Sequence, residues 1–136
     1  MINDKINKEG VNNMKVISTD NAPKAIGPYS QAIVKGNMLF TSGQIPIDPK
    51  TGEIVGDTIS IQAEQVMKNL EAVLIEAGMT FDDVVKTTCF LADMKYFSEF
   101  NDVYGRYFIS NPARSCVAVR EIPKGVLCEV ECIAIK

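Results

Sequence analysis

Histidine is missing from all 136 residues. Its absence removes every Ser–His or Cys–His nucleophile pair and the usual imidazole ligands of catalytic zinc. It also removes the side chain most often used as a general base. Any catalysis must run on carboxylates, arginine, tyrosine, backbone groups and water. Basic charge is scarce as well. Fourteen Lys and Arg against seventeen Asp and Glu leave a net charge of -3. That argues against nucleic acid or an anionic membrane as partner, since both demand a basic surface. No apolar run approaches the roughly 20 residues that span a bilayer. The polar start, MINDKINKEGVNN, lacks the apolar core of a secretory signal. A cytoplasmic protein is expected.

Paired cysteine motifs are missing too. Cys89, Cys116, Cys128 and Cys132 form no Cys-x-x-Cys, and each sits in an apolar strand pattern. Cys128 and Cys132 share one strand and lie about 13 Å apart at roughly 3.3 Å per residue. A disulfide needs Cα atoms within about 7 Å. Buried, reduced thiols are expected, and neither a metal nor an organic cofactor is implied.

What is present fits one domain with a real core: 46% hydrophobic and 23% charged residues. Residues 1–13 show no periodicity and read as a disordered extension; residues 14–136 read as the single domain. Lys15 to Ser18 suits a short strand. Asn21 to Tyr29 is a loop punctuated by Pro23, Gly27 and Pro28. It leaves Tyr29 either as a core plug or as a hydroxyl presented at a defined place. Gly36-Asn37 joins two strands, Ser30–Lys35 and Met38–Ser42, as a two-residue hairpin. The second runs into Ser42-Gly43-Gln44-Ile45-Pro46, where a glycine lets a ligand approach backbone N–H groups closely.

From Ser60 to Ala77 the apolar residues Ala63, Val66, Met67, Leu70, Val73, Leu74 and Ala77 make one helical stripe. Asp57, Thr58 or Ser60 can cap its start and Gly78 its end. Val84 to Ala92 is a β-branched strand. A second helix, Tyr96 to Ile109, carries an aromatic stripe that reads as core. Asn101 lies off that stripe, facing either a cleft or solvent.

The end of the chain is the most unusual stretch. Pro112 to Ile135 reads as two strands joined by a turn at Ile122-Pro123-Lys124-Gly125. Alternation puts Val126, Cys128, Val130, Cys132 and Ala134 on a core face. Leu127, Glu129, Glu131, Ile133 and Ile135 share the other. Arg114 and Cys116 share one face of the preceding strand. Two carboxylates on an otherwise apolar face mark either a solvated surface or a water-poor cleft. The order β-β-β-α-β-α-β-β suggests a mixed sheet with both helices on one face. Self-association would cover the other face and bring Glu129 and Arg114 near a subunit boundary.

Several motifs coincide here. Asn21-Ala22-Pro23 with Ile26-Gly27-Pro28-Tyr29-Ser30-Gln31-Ala32, then Ser42-Gly43-Gln44-Ile45-Pro46, then Pro112-Ala113-Arg114-Ser115-Cys116-Val117 resemble the RidA/YjgF family. So does Ile122-Pro123-Lys124-Gly125 with Glu129-Val130-Glu131-Cys132-Ile133-Ala134. The likeness runs from about Met14 to Lys136 and is closest to the archetypal imine deaminases, which carry the arginine of the Pro-Ala-Arg-Ser motif. It implies a chorismate-mutase-like α+β fold and a homotrimer with clefts between subunits. It implies hydrolysis of enamines and imines (2-aminoacrylate, 2-iminopropanoate, 2-iminobutanoate) to 2-oxo acids and ammonia. By motif position, Arg114 would hold the substrate carboxylate, helped by the Cys116 N–H, and Glu129 would place or activate water. Tyr29, Ser42, Gly43 and Asn101 would line the same cleft. The alternatives to this reading are a non-catalytic 2-oxo-acid binder or regulator, and an endoribonuclease or translation inhibitor.

Overall fold

The computed structural model describes residues 2–6 and 14–136. Its strands are β1 (Ile2–Ile6), β2 (Met14–Ile17), β3 (Ala32–Lys35), β4 (Met38–Thr41), β5 (Val84–Leu91), β6 (Ala113–Ala118) and β7 (Cys128–Ile135). Its helices are α1 (Ile59–Glu76) and α2 (Phe97–Tyr107). Over residues 14–136 this is the expected order, an α+β domain with a mixed sheet. The expectation of a disordered extension over residues 1–13 lies mostly outside the described residues. The described part, Ile2–Ile6, runs antiparallel to β2.

Local chemistry accounts for the elements. Gly36, at a φ of 61°, closes the two-residue turn that registers Lys35 against Met38. Thr58 caps α1, its hydroxyl accepting the Ile61 N–H at 3.3 Å. At the other end Gly78 takes a φ of 74°, and the Met79 N–H reaches back to the Leu74 carbonyl at 2.8 Å. That is the left-handed glycine stop of a helix. Ala63, Val66, Met67, Leu70, Val73 and Leu74 of α1 are all fully buried against the sheet. Truncating one of the larger ones to alanine should cost about 2–5 kcal/mol. Phe100, Val103, Tyr104 and the following Phe108 bury the aromatic stripe of α2 in the same core.

The sheet order is β1-β2-β3-β4-β7-β5-β6. The turn at Ile122–Gly125 does reverse the chain, but β6 and β7 are not neighbours. β5 lies between them, parallel to β6 and antiparallel to β7. The reason is α2, which carries the chain from β5 to a parallel β6 as a crossover must. Lys124 takes up the turn with a φ of 63°, a left-handed conformation seldom adopted by side-chain-bearing residues. Leu127 also differs from its expected place. It precedes β7, and its N–H donates to the buried Gln62 side chain at 2.8 Å.

Both helices cover one face. On the other, Phe40, Val117 and Ile135 remain 41%, 46% and 37% exposed, around Ile133 and the two glutamates. Among the described residues no helix is long and apolar enough to cross a membrane.

Candidate functional site

Arg114 sits on β6, the edge strand, opposite Thr87 of β5. Thr87 is fully buried and hydrogen-bonds the Tyr104 hydroxyl at 2.7 Å, so this is the helix-covered face. The guanidinium carbon lies 4.7 Å from the Tyr104 ring centroid and 5.5 Å from that of Phe97. Such stacking suits a delocalised planar cation. One edge is fixed by Asn101, whose Oδ1 accepts from Nη1 at 2.8 Å. Among the described residues no carboxylate pairs with this arginine. Its remaining donors can meet a carboxylate as a two-pronged fork.

Cys116 lies two residues on, opposite Cys89. Burial pushes both thiols above their usual range, Cys89 to about 12, with Arg114 pulling the other way. Each is a protonated thiol near neutrality, since nucleophilic cysteines need a lowered value. Helical spacing leaves Asn101 open between cleft and solvent, and only the family resemblance assigns it to the cleft; Tyr104 and Phe97 read only as core. The site uses their ring faces.

Glu129 belongs to a second group. It faces Phe90 across β5, three positions along from Thr87. Side chains alternate along a strand, so Glu129 and Arg114 project from opposite faces of the same sheet. A bulge seats the glutamate. Between the Phe40–Ile133 pair and the Gln44–Val130 bridge, one strand takes four residue steps and the other three. The spare residue bends the chain, and the Cys132 N–H is met by the Thr41 hydroxyl at 2.9 Å. Gly43 then passes directly under Glu129. A Cβ built there would lie 2.7 Å from the carboxyl carbon, so any larger residue would displace the carboxylate. Burial first, then the nearby Glu131 charge, raise the Glu129 carboxyl above the ordinary carboxylate range.

Gly43 also walls a cavity of about 300 Å³ with Tyr29. Tyr29 is 48% exposed, not a core plug. Its hydroxyl accepts the Ile26 N–H at 3.2 Å, which leaves its own proton to donate. Ser42 is committed elsewhere: its hydroxyl donates to the Ser30 carbonyl at 2.6 Å and its N–H to Gln31. Two buried amides hold the walls. Gln31 ties down the 19–23 loop through the Thr19 N–H and the Thr19 and Pro23 carbonyls. Asn69 donates to the carbonyls of Ile45 and Ile47, each at 3.0 Å. Sequence reasoning missed both, although Asn69 is a polar residue within the apolar stripe of α1.

One chain thus carries two half-sites. Arg114, Asn101 and Cys116 stand at the β6 edge on the helix face. Glu129, Gly43 and Tyr29 stand around the bulge on the other side. Both half-sites stand on an α+β domain with one uncovered sheet face. The family model described as Endoribonuclease L-PSP matches residues 19–136, and the chain belongs to that family, the RidA/YjgF family. It is 56% identical over 123 residues to a RutC family protein of Pyrococcus horikoshii, covering 90% of this chain and 98% of the relative. It is 47% identical over 126 residues to the 2-iminobutanoate/2-iminopropanoate deaminase of Escherichia coli K12, covering 90% and 98%. The crystal structure of E. coli TdcF with bound serine is similar at a TM-score of 0.85 and 43% identity, covering 89% of this chain and 98% of that one.

Proposed function

We propose that this protein hydrolyses small 2-imino acids and their enamine tautomers to 2-oxo acids and ammonia, in clefts formed between copies of a homotrimer. The observation that carries the reading is Arg114. Its guanidinium is stacked on two rings and pinned by Asn101, with donors left over. Such a group binds a carboxylate in one orientation. The E. coli relative named as an imine deaminase and the serine held by TdcF support a small amino-acid-derived ligand.

The chemistry asks little more. The imine carbon is already electrophilic, so no protein nucleophile is needed. Glu129 takes a proton from water as the water oxygen bonds to that carbon and the nitrogen gains a proton. The resulting carbinolamine loses ammonia while its hydroxyl proton is removed, leaving the 2-oxo acid. Burial and the Glu131 charge raise the Glu129 pKa, which makes it a stronger proton acceptor than an ordinary carboxylate. Tyr29 donates its hydroxyl proton into the cleft, and the Ser42–Gly43 backbone and the Cys116 N–H line it. Because Arg114 and Glu129 project from opposite faces, they meet only when a second copy covers the exposed Phe40, Val117 and Ile135 face.

The test is a coupled assay in which a pyridoxal-phosphate dehydratase releases the imine from serine or threonine. Release of 2-oxo acid should quicken when this protein is added. Arg114→Ala should lose about two decades of that acceleration, the worth of a charge-assisted contact of roughly 3 kcal/mol. Parental acceleration by Arg114→Ala, or none by the parent protein, would overturn the reading.

A further inference from the structure

The cavity beside Gly43 and Tyr29 is larger than a three- or four-carbon imino acid requires, and its charge is the reverse of the chain's. The protein carries a net charge of -3. Yet Lys24, Lys50 and Lys124 all line this one cavity, from three separate loops, with Asp48 as its single carboxylate. Asp48 is already engaged. Its side chain accepts the Lys50 N–H at 2.8 Å and its carbonyl accepts the Gly52 N–H at 2.8 Å. No ion pair among the described residues neutralises any of the three ammonium groups.

Lys124 adds a second, independent observation. It occupies the third position of the Ile122–Gly125 turn at a φ of 63° and a ψ of 14°. Glycine sits there without strain, and a side chain does not. Strain of that kind, held at the mouth of a cavity, points to use of the side chain. The wall opposite is rigid, since Asn69 and Gln31 fix the two loops that complete it.

We propose that this cavity is a second anion subsite of the cleft, and that the protein accepts 2-imino acids whose side chain ends in a second carboxylate. The inference rests on the imine-hydrolysis reading. In it, one carboxylate meets Arg114, the imine carbon lies at Glu129, and the distal carboxylate lies among the three lysines. The lysines are exposed at the cavity rim, so each contributes modestly and through long-range attraction as much as contact.

Calorimetric titration with a matched pair of five-carbon product analogues tests this. 2-Oxoglutarate carries the distal carboxylate; 2-oxopentanoate has a methyl in its place. 2-Oxoglutarate should bind about tenfold tighter at low salt, and the advantage should shrink as salt is raised. Lys24→Gln, Lys50→Gln and Lys124→Gln should each weaken 2-oxoglutarate roughly threefold and leave 2-oxopentanoate unmoved. Lys124→Gly, which keeps the turn unstrained, should match Lys124→Gln. Lys68→Gln, on the far helix, should change neither ligand. Equal affinity for the two acids, or lysine variants that weaken both alike, would overturn the subsite while leaving the deaminase reading intact. If neither acid binds but imine hydrolysis is fast, the subsite also falls. If neither binds and no hydrolysis occurs, the deaminase reading itself has failed.

Discussion

Two dead variants should make a live enzyme. Arg114 faces α2 beside Thr87, and Glu129 faces the uncovered side beside Phe90, on the same sheet. A cleft that needs both must take Arg114 from one copy and Glu129 from another. Arg114→Ala and Glu129→Gln, each nearly inactive as a pure protein, should therefore complement when mixed within one assembly. In a closed ring every cleft draws its arginine from one neighbour and its glutamate from the other. With equal amounts of the two variants, half the copies supply an intact arginine and half an intact glutamate. About a quarter of the clefts then hold both, so roughly a quarter of the parental activity should return. The same fraction holds for a dimer and a trimer, so the result does not depend on the ring size. The variants are mixed by joint unfolding and refolding, or by co-expression with two different tags, and assayed with dehydratase-generated imine. Simple mixing without subunit exchange is the control and should recover nothing. If co-assembled variants stay as inactive as either alone, the cleft is not shared and the proposed pairing of Arg114 with Glu129 is wrong.

Two further outcomes follow from the bulge. Gly43→Ala puts a methyl where the Glu129 carboxyl group lies, 2.7 Å from its carbon, so the carboxylate must move by about an ångström. Turnover should fall by about two decades while Arg114-dependent binding of 2-oxobutyrate persists; unchanged turnover would show that the position of Glu129 is unimportant. The second outcome is a pH profile. Glu129 works as a carboxylate, and burial and Glu131 raise its pKa, so activity should climb with pH through a limb above the ordinary range of about 4.3. Glu131→Gln removes the like charge and should move that limb to lower pH. A limb that stays in place would sever Glu129 from the rate.

The sequence carries the fold well because each element has its own local code. The α1 stripe, Thr58 and Gly78 mark one helix, and the Gly36 turn marks one hairpin. Strand adjacency is not local. Val130 and Cys132 show the alternation of a core strand, but nothing in Pro112–Ile135 tells that β5 inserts between β6 and β7. That insertion decides which face each charge takes. Arg114 and Glu129 are both legible as unusual charges, yet their placement on opposite faces comes from pairing with Thr87 and Phe90, 39 residues upstream for Glu129. The bulge at Gly43 is likewise a count of residues between two pairings, visible only once both pairings are known. Gln31 stands within a family motif, but its side chain's four backbone contacts depend on how the 19–23 loop folds back over it.

The family model bears the name of an endoribonuclease, and the site's chemistry weighs against extending that activity to this chain. Cleaving RNA through its 2′-hydroxyl takes one group to remove the hydroxyl proton, a second to protonate the departing oxygen, and cations around the phosphate. Histidine, which supplies both proton roles most readily near neutrality, is absent. Each half-site offers one principal group: a guanidinium held for an anion, and a carboxylate kept partly dry over Gly43. Those two match an imino acid, which presents one carboxylate and one carbon that water can attack without a strong leaving-group acid. The lysine-lined cavity does not restore the balance, because three exposed ammonium groups on a chain of net charge -3 make a pocket and not the basic stripe that a polyanion requires. A small ligand fits such a local excess of positive charge; a long phosphate backbone would meet the acidic remainder of the surface.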